Sequence, residues 1–149
     1  MNYIFDTNIL LYFIRQHKVV GQIESNENPF SDENISMISI VSKAEILSIA
    51  HQSNWGESRR KKLNELLNEF LIIPIEADDI INMYAEIDAY SQGKLAGKPL
   101  PNGGTSRNMG KNDLWIAASA FLTQATLITT DGDFDHLDGV YCSVKKYIV

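Results

Sequence analysis

Acidic residues stand where strands give way to helices at four places in this chain. They are Asp6 in Tyr3-Ile4-Phe5-Asp6-Thr7-Asn8, Glu45 in Ser42-Lys43-Ala44-Glu45, Asp113 in Lys111-Asn112-Asp113-Leu114-Trp115, and Asp131 in Ile128-Thr129-Thr130-Asp131-Gly132-Asp133. In an open α/β sheet the strand ends converge on one edge, and ligands bind there. Carboxylates gathered at such an edge repel one another. Two unit charges about 5 Å apart at an effective dielectric near 20 cost roughly 3 kcal/mol. A divalent cation removes that cost, so the pattern predicts a metal site built from oxygen ligands. Carboxylates without an accompanying His or Cys favour Mg2+ or Mn2+ over zinc or copper.

Each acid also has a purely structural reading when taken alone. Asp6 can cap a helix. Ser42-Lys43-Ala44-Glu45 has the form of a capping box, with Glu45 reaching back to the Ser42 amide. Asp113 in a first helical turn suits the helix dipole, and Asp131-Gly132 is a turn dipeptide. It is their joint placement at one sheet edge that points to a shared site. His17, His51 and His136 are scattered and form no ligand-spaced pair. His136 reads as a surface-turn histidine and Cys142 as a small packing residue. No phosphate-binding loop is present, because Gly103-Gly104 lacks a following Lys-Ser/Thr.

The elements that must carry these acids alternate between strand and helix. Residues 2–6 read as a short buried strand, followed by a helix over 8–15 with Thr7 or Asn8 as its cap. A short helix over about 17–25 leads into a polar loop at 26–32. Residues 35–41 read as a strand, and Ser42 begins a helix to about Gln52. Leu63, Leu66, Leu67 and Phe70 recur at i, i+3, i+4, i+7 within a helix over 57–70. Residues 71–75 read as a strand whose Pro74 suits an edge. Helix over 77–91, helix over 112–122, strand over 125–130, a helical turn over 134–137 and a last strand within 141–149 complete the order. This alternation predicts an α/β three-layer sandwich around a mainly parallel central sheet. The intervening 93–110 segment is rich in Gly, Pro, Asn and Ser and is long for a connection inside a compact domain, which marks it as functional or mobile.

At 149 residues the chain suits one domain over 1–149 with one substantial core. No stretch is long enough and free enough of charge to span a bilayer. The apolar run after Asp6 has no basic leader and no small-residue cleavage site, which argues against a signal peptide. A lone cysteine fits a reducing compartment. A cytoplasmic protein with no membrane association is expected. The net charge of −6 counts against nucleic-acid binding, but the charge is unevenly spread. Between Gly93 and Asn112 there are four cations (Lys94, Lys98, Arg107 and Lys111) and no acid. These are candidate contacts for a phosphate backbone. The Arg59-Arg60-Lys61-Lys62 run reads as a solvated helix face.

The four acidic phrases together resemble the PIN-domain family, and within it the VapC-type toxins of bacterial toxin–antitoxin pairs. Tyr3-Ile4-Phe5-Asp6-Thr7-Asn8-Ile9-Leu10 resembles the opening strand and Asp-Thr-Asn motif. Ser42-Lys43-Ala44-Glu45-Ile46-Leu47, Asn112-Asp113-Leu114-Trp115-Ile116-Ala117-Ala118 and Ile128-Thr129-Thr130-Asp131-Gly132-Asp133-Phe134 resemble the second, third and fourth motifs. They occur in family order across nearly the whole chain. The resemblance implies a metal-dependent endoribonuclease with Asp6, Glu45, Asp113 and Asp131 as its acidic quartet and Asp133 as a fifth candidate ligand. Thr7, Asn8 and Thr129 match supporting polar positions. In such an enzyme one or two Mg2+ ions polarise the scissile phosphate and activate a water for in-line attack, with Asp113 or Glu45 orienting or deprotonating that water. A small antitoxin and a homodimer are the implied partners. Ile9, Leu10, Tyr12 and Phe13 are candidates for an interface or for the core. One departure is the length of the stretch before Asp113, which bears on substrate preference.

Two other readings compete. A haloacid-dehalogenase-like phosphatase also places an aspartate after its first strand, but it needs a second two residues later, where this chain has Asn8. A catalytically inactive PIN-fold binding module would explain the fold, but the intact acids at all four motif positions argue against it.

Overall fold

The centre of the protein is β1 (Asn2–Phe5), which pairs in parallel with β2 (Ile35–Ser39) on one side and β4 (Thr126–Thr129) on the other. Beyond them lie β3 (Leu71–Ile73) and β5 (Ser143–Lys146), giving a five-stranded, all-parallel sheet in the order β3-β2-β1-β4-β5. The structure, a computed structural model, describes residues 1–101 and 104–149. Gly103 and part of the expected 93–110 loop lie outside the described residues.

Side chains alternate across the sheet with a period of two, and this assigns each strand residue to a layer. Tyr3, Phe5, Ile38 and Ile128 enter one core with α1 (Thr7–Arg15), α2 (Lys18–Glu27), α3 (Ile40–Gln52) and α4 (Glu57–Leu67). Ile4, Met37 and Leu127 face the other core with α5 (Asp78–Ser91), α6 (Lys111–Thr123) and a 3-10 turn at Gly132–Leu137. The three-layer α/β sandwich is as expected. Pro74 follows edge strand β3, where no ladder bond is lost.

The strand order reverses at β1. The chain builds outward to β3 on one side, then crosses over to place β4 and β5 on the other. The crevice between the carboxyl ends of β1 and β4 is therefore the topological switch point. Asp6 follows β1 directly, and Thr129 closes β4.

Three expectations are corrected. The helix after β2 starts at Ile40 rather than Ser42, because Ser39 Oγ accepts a bond from the Val41 amide at 3.2 Å and caps it. Glu45 thus lies in the second turn and does not serve a capping box. Ile9 and Leu10 are fully buried, and Tyr12 and Phe13 pack against the same core, so Ile9 and Leu10 offer no interface. The Arg59–Lys62 run is not simply solvated. Arg60 bonds the Ala50 and Trp55 carbonyls at 3.2 and 2.9 Å, tying α4 to the end of α3, and Arg59 lies over the Trp55 ring.

Candidate metal centre

Thr129 is the hinge of the site. Its hydroxyl donates to Asp6 Oδ2 at 2.8 Å and accepts from the Asp131 amide at 3.0 Å. One side chain at the end of β4 therefore fixes both the Asp6 carboxylate and the start of the acidic turn. Asp131 Oδ1 in turn accepts from the Asp133 amide at 2.9 Å and caps the 3-10 turn. Across the crevice, Thr7 Oγ1 donates to Glu45 Oε1 at 2.7 Å. Asp6 occupies the N-cap position of α1, but its side chain makes no capping bond to the helix. It is spent on the site instead.

Oxygen atoms of Asp113, Asp131 and Asp133 lie within 4.8 Å of one another. Asp133, expected as a fifth candidate, stands inside this tight group, while Asp6 and Glu45 flank it. Asp6 is buried, Glu45, Asp113 and Asp131 are half-buried, and Asp133 is exposed. Desolvation is the main cause that pushes the Asp113 pKa up to about 7, and the charges of Asp6, Asp131, Asp133 and Glu45 add to it. Burial likewise raises Asp6 to about 6, against the lowering effect of the Thr129 bond and with further raising by Asp131 and Glu45. Crowded, partly desolvated carboxylates are the condition a divalent cation relieves. The donor set is all carboxylate oxygen, which fits a hard cation such as Mg2+ or Mn2+.

The other expected residues divide. Thr7 and Thr129 are buried beside the acids, whereas Asn8 is exposed and makes no side-chain hydrogen bond among the described residues. Arg107 is held at the acidic turn by Nη1 to the Gly132 carbonyl at 2.8 Å. Lys111 opens α6 two residues before Asp113 and is exposed. Lys98 turns elsewhere: its Nζ lies 4.0 Å over the Tyr141 ring, which packs on Phe121 near the far end of α6. Phe121 is eight residues beyond Asp113 on that helix, about 12 Å along the axis. Lys94 is exposed.

His136 was missed. It is buried rather than on the surface, stacks parallel to Tyr90, and places Nε2 2.7 Å from Ser91 Oγ. Its partners are about 45 residues away in sequence, so no local pattern announced it. Lys146 bonds Asp135 in the same turn, an exposed pair that positions more than it stabilises.

Replacing Thr129 with Val keeps the side-chain shape and removes the hydroxyl. Asp6 loses its donor and Asp131 its amide partner. The expected result is metal binding weakened by ~10–100-fold, as for other residues that orient ligands, measured by Mn2+ calorimetry on a protein that remains folded.

The PIN domain family matches residues 3–140 of the chain. Comparison with curated proteins gives no match. Among solved structures, the fold resembles VapBC-1 from nontypeable Haemophilus influenzae, with TM-score 0.71, 23% identity and 98% of each chain covered. It also resembles VapBC2 from Rickettsia felis bound to a promoter DNA fragment, at 0.69, 23% and 99% of each chain. A toxin–antitoxin complex from Klebsiella pneumoniae aligns at 0.68, 22% and 99% of each chain.

Proposed function

Since the chain belongs to the PIN-domain family, we propose that it is a divalent-metal-dependent endoribonuclease and the toxin of a toxin–antitoxin pair. The observation that carries this reading is the convergence of Asp113, Asp131 and Asp133 oxygens within 4.8 Å at the switch point. Those three acids would hold Mg2+ or Mn2+, with Asp6 beside them. A bound cation would supply Lewis-acid stabilisation of the scissile phosphate and a lowered pKa for a coordinated water. Glu45 lies outside the three-oxygen group and is oriented by Thr7. That makes it the carboxylate best placed to hold and deprotonate the attacking water. Thr129 fixes Asp6 and Asp131 so that neither must reorganise during the reaction. The direct test is incubation of purified protein with RNA. Cleavage that needs Mg2+ or Mn2+ and stops with EDTA supports the proposal, and absence of cleavage with either ion contradicts it.

Phosphates approaching so many acids need cations beyond the metal. Arg107 and Lys111 are placed to supply them. Replacing Lys94, Lys98, Arg107 and Lys111 together by Ala is expected to weaken RNA binding and flatten its salt dependence, by about 0.7 in log–log slope per lost contact on a single strand. Metal affinity and thermal stability should hold in a Lys94→Ala/Lys111→Ala variant, whereas removing Arg107 also breaks its bond to the Gly132 carbonyl between Asp131 and Asp133 and should lower both somewhat. The Arg107/Lys111 pair should account for most of the change, because Lys98 is engaged by Tyr141. Unaltered affinity at low salt would remove these residues from the interface.

The antitoxin proposal draws on the solved relatives, whose names describe toxin–antitoxin complexes. A protein encoded beside this chain is expected to bind it and cover the acidic crevice. A homodimer is the expected assembly. Light scattering should give a dimeric mass alone and a larger complex with the neighbour-encoded protein, and a monomer in both conditions would refute the assembly. No helix among the described residues is long and apolar enough to cross a membrane. Action in the cytoplasm is part of the same proposal.

A further inference from the structure

The segment before α6 does not hang free over the acids. The Arg107 amide donates to the Ser91 carbonyl at 2.6 Å and its guanidinium to the Gly132 carbonyl, so Arg107 is tied to the end of α5 and to the 3-10 turn. Beside them lies an open pocket of about 250 Å3 lined by Leu100, Pro101, Thr105, Arg107, Asp135 and His136. That is below the ~300–1,000 Å3 of clefts for drug-sized ligands and suits one planar group.

The lining has the chemistry of a base site. Leu100 and Pro101 supply apolar surface. His136 forms a fixed wall, held by Ser91 Oγ at Nε2 and by the parallel Tyr90 ring. Burial first, and the Arg107 charge second, lower its pKa, so the ring is neutral at pH 7. Its Nδ1 lies out of solvent's reach, so the ring meets the pocket as surface rather than as a hydrogen-bond acceptor. Arg107 uses one donor on Gly132 and joins this cavity to the turn that carries Asp131 and Asp133. Single-stranded RNA is read in this manner, by bases splayed into pockets, stacked on His, Arg or aromatic planes and bonded along their edges.

We propose that this cavity is a nucleobase subsite, which takes the base of the nucleotide next to the scissile phosphate while Arg107 contacts that nucleotide's phosphate. The inference rests on the ribonuclease reading and adds to it a source of sequence preference. Leu100, Pro101, Thr105 and Arg107, from the stretch before Asp113, build one wall of the cavity.

Thr105 is exposed at the cavity and outside the acidic machinery, so Thr105→Trp should fill the space without unfolding the chain. Cut sites are mapped on a randomised RNA pool. The wild type is expected to prefer one base at a position adjoining the cut, and Thr105→Trp to reduce that preference by ~fivefold or more with Mn2+ affinity unchanged. An identical cut-site profile in the variant overturns the subsite while leaving the nuclease standing. A second arm needs no cleavage. Isotope-labelled protein in EDTA is titrated with each of the four nucleoside 5′-monophosphates and followed by NMR. Saturable shifts at Leu100, Thr105 and His136 with one base over the others are expected. Shifts absent there, or equal for all four, overturn the proposal even if RNA is cut.

Discussion

Asp113→Asn and Asp6→Asn are each expected to reduce RNA cleavage by more than ~100-fold, beyond the ~10–100-fold typical of residues that only orient ligands, while the fold persists. The same substitutions should raise the melting temperature of the metal-free protein. Asp6 is buried against the charges of Asp131 and Glu45, which with desolvation lifts its pKa from 3.8 to about 6. At neutral pH its ionisation therefore costs about 3 kcal/mol of folding free energy. Asn keeps an acceptor for the Thr129 hydroxyl without the charge. For a chain of this size a gain of that order amounts to several degrees. Loss of activity with gain of stability separates a functional site from a structural one, where both would fall together. Either variant cutting RNA at the wild-type rate in the presence of EDTA would refute the mechanism.

The metal-free protein should also be less stable at pH 7.5 than at pH 5. The folded pKa values of Asp6 and Asp113 lie near 6 and 7, above the 3.8 of an unperturbed aspartate. Between those limits the native state binds more protons than the unfolded chain, so stability falls as pH rises. The contribution is complete below about pH 4 and is lost as pH passes through 6 and 7. Glu27 runs the other way. Burial raises its pKa, but bonds from Lys145, Tyr147 and Tyr3 outweigh this and leave it lowered, so its contribution disappears only in acid. Urea denaturation in EDTA at both pH values measures the difference. An Asp6→Asn/Asp113→Asn double variant should lose this fall and gain some stability toward pH 7.5, because burial lowers the His136 pKa and the fold favours its neutral ring. Mn2+ added at 100 times its dissociation constant should restore about 2.7 kcal/mol to the wild type at pH 7.5. A wild-type stability that is flat or rises from pH 5 to 7.5 without metal would contradict the electrostatic account.

Much of this site was legible in the sequence because its signals are local. Asp6, Asp113 and Asp131 sit within a few residues of places where a short apolar run meets polar residues, and those changes are visible in the sequence. The α3 boundary was missed because Ser39 and Ser42 are both competent caps, and a fully buried strand gives no alternation to mark its exit. Ser42 had the capping-box spacing to Glu45, but Thr7 claims that carboxylate across 38 residues. Charge sign was readable for Lys98, yet its direction was set by Tyr141, a partner from the chain's last quarter. His136 had no readable signal at all, since its burial comes from α5. The apolar run from Ile9 to Phe13 was ambiguous in sequence because core and interface demand the same residues, and only packing against β1 decides.

The claim beneath all of these is that Asp113, Asp131 and Asp133 hold a divalent cation. Calorimetric titration of the wild-type protein with Mn2+ near pH 7 tests it most directly. Saturable binding is predicted, with a heat that varies with the buffer's ionisation enthalpy, because Asp113 is partly protonated there and must release its proton to bind the ion. Asp113→Asn should weaken the binding sharply and remove that buffer dependence. No saturable binding by the wild type, or equal binding by Asp113→Asn, would contradict the account.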